Sequence, residues 1–437
     1  YLNNVYLGSG AYGIADAAWV YFSKTPDLLT LEEIALIAGL APAPSFFSPL
    51  VNTPLAIERR TIVLNRMLKE NFITKKEFAS AVNSELNLKP AKPKFINSAA
   101  PFFTSWVNQQ LPLLLTPEQL EVGGLKIRTS LNLDWQIQGQ KVIRKFAKKN
   151  LQGAMVSIQP QTGFVRVLIG GKDFEFNQFN RATQALRSPG STFKPFPYAA
   201  AINSGFKPED VFLDVPRCWD NYCPKNFTDK YIGQVSLTDA FKNSINTIAI
   251  ELLERVGFDE VISTANKLGV GNVQKLGKYY PLAIGAYEQT VLEMTAAYAG
   301  VNNRGFYFQP TPFEEIRGPG NVLLWSHSIN HPKGLQAIKI DVADTINWML
   351  QQVVKDGTGS VASLKSRPVA GKTGTSEKGR DLWFIGSIPQ LTTGVWFGHD
   401  NNQETRIGSG EAAWAWKQFM LKIENNFKVL NFPERPS

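Results

Sequence analysis

Cysteine and histidine are scarce in this chain, with 2 and 3 copies among 437 residues. Both cysteines fall in "RCWDNYCP", as Cys218 and Cys223. The histidines (His327, His331, His399) lie far from them and form no spaced ligand set, so a zinc centre is excluded and no cofactor or metal is expected. Two readings of the cysteines stand, a local disulfide in an oxidising compartment and two free thiols, with the bonded pair first. No run of eighteen or more apolar residues occurs, and no signal peptide. The chain opens at Tyr1 without a methionine, inside a helical pattern, and reads as a fragment whose membrane anchor lies elsewhere. Low-complexity tracts and internal repeats are also missing.

What is present is an ordinary globular composition, 43% apolar and 19% charged, long enough for two or three domains. Lys+Arg 46 against Asp+Glu 37 gives a net charge of +9. The basic residues are scattered, apart from Lys141, Arg144, Lys145, Lys148 and Lys149 on one solvated helix face, so no nucleic-acid partner is expected. The mild positive charge suits work beside anionic lipid or an anionic wall polymer.

Residues 1 to about 95 carry helical patterns. "TLEEIALIAGLAPAPS" opens on Thr30 with acidic residues in its first turn, and "PLAIERRTIVLNRMLKENF" follows a Pro54 start. A third helix begins near Thr74, and a Pro- and Lys-rich stretch follows. Residues 96–150 read as a linker region holding one strand ("GGLKIRTSLN") and one amphipathic helix. From residue 151 the pattern changes. "AMVSIQPQTGFVRVLIGG" is a hairpin, helical segments dominate from Ser191 to about Asn303, and "RPVAGKTGTS", "DLWFIGSIP" and "TTGVWFGHD" are three short strands before a last helix. Strands at both ends with helices between predict an α+β fold, an antiparallel sheet whose first and last strands meet, covered by helices.

The chemistry concentrates in three short motifs. Ser191-Thr192-Phe193-Lys194 follows a Pro189-Gly190 turn, Ser244-Ile245-Asn246 lies in "KNSINTIAI", and Lys372-Thr373-Gly374-Thr375 lies in "VAGKTGTS". A serine three residues before a lysine, on a helix starting near Ser191, puts hydroxyl and amine on one face. Alone, that pair reads as an N-cap and a surface lysine. Together and in this order, S-x-x-K, S-x-N and K-T-G are the signature of penicillin-binding proteins and class A β-lactamases. Serine needs a base to become a nucleophile, and Lys194 can serve once burial beside Phe193 and Phe196, with Lys372 as second cation, lowers its pKa. Lys372, Thr373 and Thr375 suit a substrate carboxylate, and Gly371 and Gly374 leave a strand edge open to an extended ligand. Ser244 can relay a proton, Asn246 can meet a peptide amide, and the N–H groups of Ser191 and Thr375 can bind an oxyanion.

On these motifs the chain resembles a class A (bifunctional) penicillin-binding protein over nearly its whole length. "FNRATQALRSPGSTFKPF", "YIGQVSLTDAFKNSINTIAI", "GTGSVA" and "AGKTGTSEKGRDLWFIGSIP" resemble the transpeptidase domain, expected over 151–437. "YLNNVYLGSGAYGIADAAWVYFSK" and "LTLEEIALIAGLAPAPSFFSP" resemble the last motifs of the peptidoglycan glycosyltransferase domain, so 1–95 is expected to be its C-terminal remnant. The family's catalytic glutamates lie in earlier motifs, and no residue here is assigned glycan polymerisation. The resemblance implies a β-lactamase/DD-peptidase-like fold and a serine DD-transpeptidase that cross-links peptidoglycan stem peptides and binds β-lactams. It also implies the extracytoplasmic face of the bacterial inner membrane, reached only through the missing anchor, with cell-wall synthesis proteins as partners. Two departures stand out: Pro197, expected to kink or shorten the helix behind Lys194, and the short charged segment Glu377 to Arg380.

Against this stand a β-lactam sensor and a slow DD-carboxypeptidase or β-lactamase-like hydrolase. Class A β-lactamases add a glutamate in an E-x-x-L-N pattern after S-x-N; "ELLERVGF" and "EQTVLEMT" do not fit it. Sensors follow a membrane-signalling segment, not glycosyltransferase motifs. A Ser-His-carboxylate site fails because His399, read as a strand-end residue, is the only histidine near a motif.

Overall fold

Thr30 illustrates how the sequence writes the N-terminal helices: its side chain and that of Glu33 form a reciprocal capping box at the start of Leu31–Leu40. Thr74 and Glu77 repeat the device on Lys75–Asn83, and Asn52 caps the longer helix Thr53–Lys69. The computed structural model describes all residues except 1, 3, 4, 93, 94, 96, 272–276, 331–333, 409 and 437. They form two compact units, Tyr1–Ser105 with Asp173–Phe179, and Trp106–Lys172 with Asn180–Ser437.

In the first unit Leu36, Ile37 and Leu40 are buried with Val20, Tyr21 and Phe22 of the helix Ile14–Phe22. Ala35 packs instead with Leu64 and Ala81 of the next two helices. Leu31–Leu40 is therefore wrapped on two sides, with Ile34, at 45% exposure, and Ala38 left outside. Residues 173–179, within the stretch read as transpeptidase, belong to this unit, where Tyr12 Oη donates to Asn177 Oδ1 (2.5 Å).

The second unit is built on a five-stranded antiparallel sheet of β1 (Gln152–Ile158), β2 (Val165–Ile169), β3 (Ala370–Thr375), β4 (Asp381–Ile388) and β5 (Leu391–Gly398), in the order β3-β4-β5-β1-β2. The N-terminal hairpin meets the C-terminal meander along β1 and β5, with Val156 opposite Gly394, as the alternation of the sequence predicts. The fold is α+β. One face of the sheet buries Phe384, Val395 and Phe397 with Trp416 and Phe419 of the helix Gly410–Ile423 and with Val142 and Ile143 of the helix Leu133–Phe146. On the helix Val291–Asn302, Asn302 Nδ2 donates to Ile388 O at the end of β4 (2.9 Å). Strand β3 is an edge of this sheet.

Three features depart from the sequence reading. Besides the expected strand and amphipathic helix, residues 96–150 hold the helices Pro101–Gln110 and Pro117–Val122, and the strand Lys126–Thr129 joins a second sheet with Phe313–Arg317 and Leu323–Ser326. The helical stretch after Ser191 contains a two-stranded ribbon, Val211–Asp214 with Gly233–Ser236. Pro197 does not kink its helix, which runs Pro195–Asn203. In that first turn a missing N–H has no helical partner to lose.

Candidate active site

The turn that carries Ser191 is fixed by glycine. Residues Gly190–Phe193 form a 3-10 turn, and the α-helix starts only at Pro195, so Ser191 stands before the helix and Lys194 at its mouth. Gly190 has φ +52°, and a Cβ there would lie 2.4 Å from Thr375 O. A Cβ on Gly374 would lie 2.4 Å from Pro189 O. These two glycines let the backbone of β3 lie against the Ser191 turn, which puts Thr375 beside that turn. The turn is also held from behind: Tyr298 Oη donates to Thr192 O (2.6 Å), Trp383 Nε1 to Ser188 O (2.9 Å) and Ser188 Oγ to Gly285 O (2.7 Å).

Behind Ser191 the two lysines of the motifs are wholly buried, each at 0% exposure. Phe193 and Phe196, with ring centroids 4.7 Å apart, help wall Lys194 off from water. Burial first, and the Lys372 ammonium second, hold Lys194 well below the ordinary lysine range. Burial alone lowers Lys372 to about 7. Both shifts run in the direction a lysine base requires.

Ser244 joins the two. It occupies the left-handed region (φ +59°) in the turn between the helices Leu237–Lys242 and Asn246–Val256, a conformation that costs a non-glycine residue on the order of 1–3 kcal/mol. Its Oγ accepts from Lys372 Nζ at 2.8 Å and lies 3.2 Å from Lys194 Nζ. Lys194 Nζ also donates to Ser244 O (2.5 Å) and to Asn246 Oδ1 (2.7 Å). These last two atoms can only accept. A neutral Lys194 therefore spends its two N–H bonds on them, and its lone pair is left to face the Ser244 hydroxyl, 3.2 Å away.

Asn246 has partners inside the site itself. Its Oδ1 accepts from Lys194 and its Nδ2 donates to Lys225 O (2.7 Å), which adds an internal anchoring role and leaves the second N–H and the second lone pair of the amide for a peptide. Thr373 Oγ1 donates to Thr358 Oγ1 (2.9 Å), while Thr358 N donates to Lys242 O (3.3 Å). The site thus unites Ser191, Lys194, Ser244, Asn246, Lys372, Thr373, Gly374 and Thr375 from three distant stretches. Sequence reasoning missed Thr358 and Tyr298, although Thr358 lies inside the quoted "GTGSVA". Cys218 and Cys223 are bonded, with Cα atoms 4.1 Å apart, so the first of the two readings holds. His399 follows the end of β5, with Nδ1 3.2 Å from Asn150 O. Among the described residues no group of His, Cys, Asp and Glu could hold a metal ion, and no helix is long and apolar enough to cross a membrane.

Comparison with known proteins agrees with this geometry. Residues 153–420 match the penicillin binding protein transpeptidase domain family, and residues 1–68 match the transglycosylase family. Penicillin-binding protein 1A of Aquifex aeolicus is 32% identical, across 100% of this chain and 72% of that protein. Penicillin-binding protein 2D of Bacillus subtilis is 32% identical across 96% of this chain, which spans 63% of that protein. Among solved structures, penicillin-binding protein 1A from Haemophilus influenzae superposes with a TM-score of 0.71 at 25% identity, covering 100% of this chain and 86% of that one. PonA1 from Mycobacterium tuberculosis in complex with penicillin V gives 0.71 and 25%, covering 77% and 96%.

Proposed function

Since this chain belongs to the penicillin-binding protein transpeptidase family and is a peptidoglycan transpeptidase, we propose that it cross-links stem peptides through an acyl-enzyme on Ser191. Ser191 Oγ attacks the carbonyl between two D-alanines as Lys194, neutral, removes its proton. The oxyanion is met by the N–H groups of Ser191 and Thr375. On collapse the peptide C–N bond breaks. The proton held by Lys194 passes through Ser244 Oγ to the departing D-alanine amine, with Lys372 supporting the Ser244 hydroxyl. The amine of a neighbouring stem then attacks the ester carbonyl, gives its proton back through Lys194 and frees Ser191. With water in place of that amine the same cycle is a carboxypeptidase. Lys372, Thr373 and Thr375 hold the substrate carboxylate, and the free edge of β3 takes the extended peptide.

One observation carries this reading: Lys194 is a buried, neutral-leaning lysine wired through Ser244 to a second buried lysine. A structural lysine on a surface helix has no use for that setting. Residues 1–95 support a wider protein that also polymerises glycan, anchored on the extracytoplasmic face of the inner membrane among other cell-wall synthesis proteins; no residue of this chain is assigned to that polymerisation. The test is intact-mass measurement after exposure to a fluorescent penicillin. A stable adduct on the wild-type chain is expected, none on Ser191→Ala, and a loss of orders of magnitude in rate on Lys194→Arg, whose guanidinium stays protonated. Undiminished labelling of Ser191→Ala overturns the assignment, and undiminished labelling of Lys194→Arg removes the base.

A further inference from the structure

The Asn246 side chain faces Lys194 for a reason that lies outside the three motifs. An amide can present either its oxygen or its nitrogen to a neighbour. Here Nδ2 is claimed by the Lys225 carbonyl (2.7 Å), which leaves Oδ1 for Lys194. Asn246 is also the first residue of its helix, and its backbone N–H has no partner within that helix. Asn226 Oδ1 supplies the partner at 2.9 Å.

Asn226 is held in turn. Its Nδ2 donates to both oxygens of Asp214 (2.9 and 3.1 Å) and to Lys230 O (3.1 Å). Asp214, 1% exposed at the end of a ribbon strand, also accepts from Thr247 Oγ1 (2.6 Å) and Ile232 N (3.0 Å). One buried carboxylate thus ties three pieces together: the ribbon, the loop carrying Lys225 and Asn226, and the helix start at Asn246 and Thr247. A carboxylate with this many well-aligned donors is rigid as well as satisfied. The Cys218–Cys223 bond closes the same loop on its upstream side.

We propose that Asn226, locked by Asp214, is a positioning residue of the transpeptidase site that fixes the Asn246 amide so that Oδ1 faces Lys194 and aims the Lys194 lone pair. The inference rests on Lys194 being the base. Without Asn226 the helix start loses its external partner, the loop carrying Lys225 loosens, and the Asn246 amide is free to turn. Lys194 then loses an acceptor that favours its ammonium form, so it titrates lower, yet its lone pair is no longer aimed. Two signatures follow together: the acid limb of the acylation rate moves to lower pH, and the plateau falls.

The experiment is the pH profile of acylation by a fluorescent penicillin on the full chain, with rates counted per molecule able to form the adduct. Asn226→Ala is expected to lower the plateau by ~10–100-fold, the scale of a small misplacement of a reacting group, and to move the acid limb down in pH. Asp214→Asn is the second variant: it keeps size and shape but presents Asn226 Nδ2 or Ile232 N–H with a donor. It is expected to show the same two changes, smaller, should the first variant not fold. A wild-type plateau and limb in the variants overturns the proposal. So does a lower melting temperature with an unmoved limb, which would mean a structural role only. Lys194→Arg run alongside separates the cases: if it acylates normally the base assignment has failed, and if it is inactive while the Asn226 and Asp214 variants behave as wild type, only the positioning role has failed.

Discussion

Replacing Lys372 by methionine should make the protein more stable while damaging its activity. Lys372 titrates near 10.5 in an unfolded chain and at about 7 in the folded one, because burial strips water from its ammonium. The folded state therefore binds this proton less tightly than the unfolded state does. Each tenfold change in proton affinity is worth about 1.4 kcal/mol. At pH 7 the penalty on the folded state is on the order of 4 kcal/mol. The sign with pH follows: the penalty is full below about 7, where both states are protonated, declines as pH rises toward 10.5, and vanishes above it. A methionine side chain at this position would carry no such penalty, would fill much of the same space, and would relieve Lys194 of a like charge. Against this, Ser244 Oγ loses one donor, worth about 1.5–3 kcal/mol when the donor is charged. A net gain of roughly 1–3 kcal/mol near pH 7 remains. The assay is thermal unfolding of wild type and Lys372→Met between pH 6 and 10, following the transition that a penicillin adduct on the wild type shifts, since a two-unit chain need not unfold in one step. The variant should melt several degrees higher at pH 6–7, and the gap should close toward pH 10. A variant less stable than wild type at pH 6–7, or a gap that does not change with pH, refutes the reasoning.

Two further substitutions probe how the site is held. Gly190→Ala places a Cβ 2.4 Å from Thr375 O at a positive φ, adding about 1–2 kcal/mol of backbone strain and pushing β3 from the nucleophile. Acylation should fall by ~10²-fold, read by stopped-flow labelling, and a near-normal rate would show that β3 and the Ser191 turn need not touch. Thr358→Val removes the acceptor of the Thr373 hydroxyl. A hydrogen bond of about 1 kcal/mol that positions Thr373 predicts roughly fivefold weaker capture of carboxylate-bearing penicillins, measured as the second-order acylation rate, with a melting temperature lowered by only about 2–4 °C.

The sheet and the reacting groups were legible in the sequence for different reasons. Strands β4 and β5 are bounded by turn residues and carry β-branched and aromatic side chains, so pattern alone finds them, while β3 is found through its K-T-G motif. The reacting groups sit in three tight motifs whose residue types the chemistry requires. The ribbon Val211–Asp214 with Gly233–Ser236 escaped because each strand has only four residues, too short for its pattern to be told from a turn of helix. The roles of Thr358, Asn226 and Asp214 escaped for a deeper reason. Each acts through a partner distant in sequence, Thr358 through Thr373 and Asp214 through Thr247, and no local spacing encodes such a meeting. Pro197 misled in the opposite way. Proline disrupts a helix interior, but the 3-10 turn around Ser191 delays the α-helix to Pro195, and that places Pro197 where proline is harmless.

The reactive residues are the ones that the ordinary rules of folding would reject. Ser244 holds a left-handed backbone and two lysines lie fully out of water within reach of one hydroxyl, while Gly190 at φ +52° takes a conformation that only glycine adopts freely. None of these choices stabilises the fold, and each acquires a purpose only when read as chemistry: a base that must be neutral, a cation beside it, and a turn tight enough to bring a strand edge to the nucleophile. What offsets them lies directly behind the site. Trp383 and Trp396, both at 0% exposure on adjacent strands, bury large aromatic surfaces, and their indole N–H groups are satisfied by Ser188 O and Asp381 Oδ1. The Ser188 bond links that tryptophan layer to the nucleophile's own turn. The residues that stabilise the sheet therefore also hold the Ser191 turn in place, so a rigid apolar layer and the proposed nucleophile stand side by side.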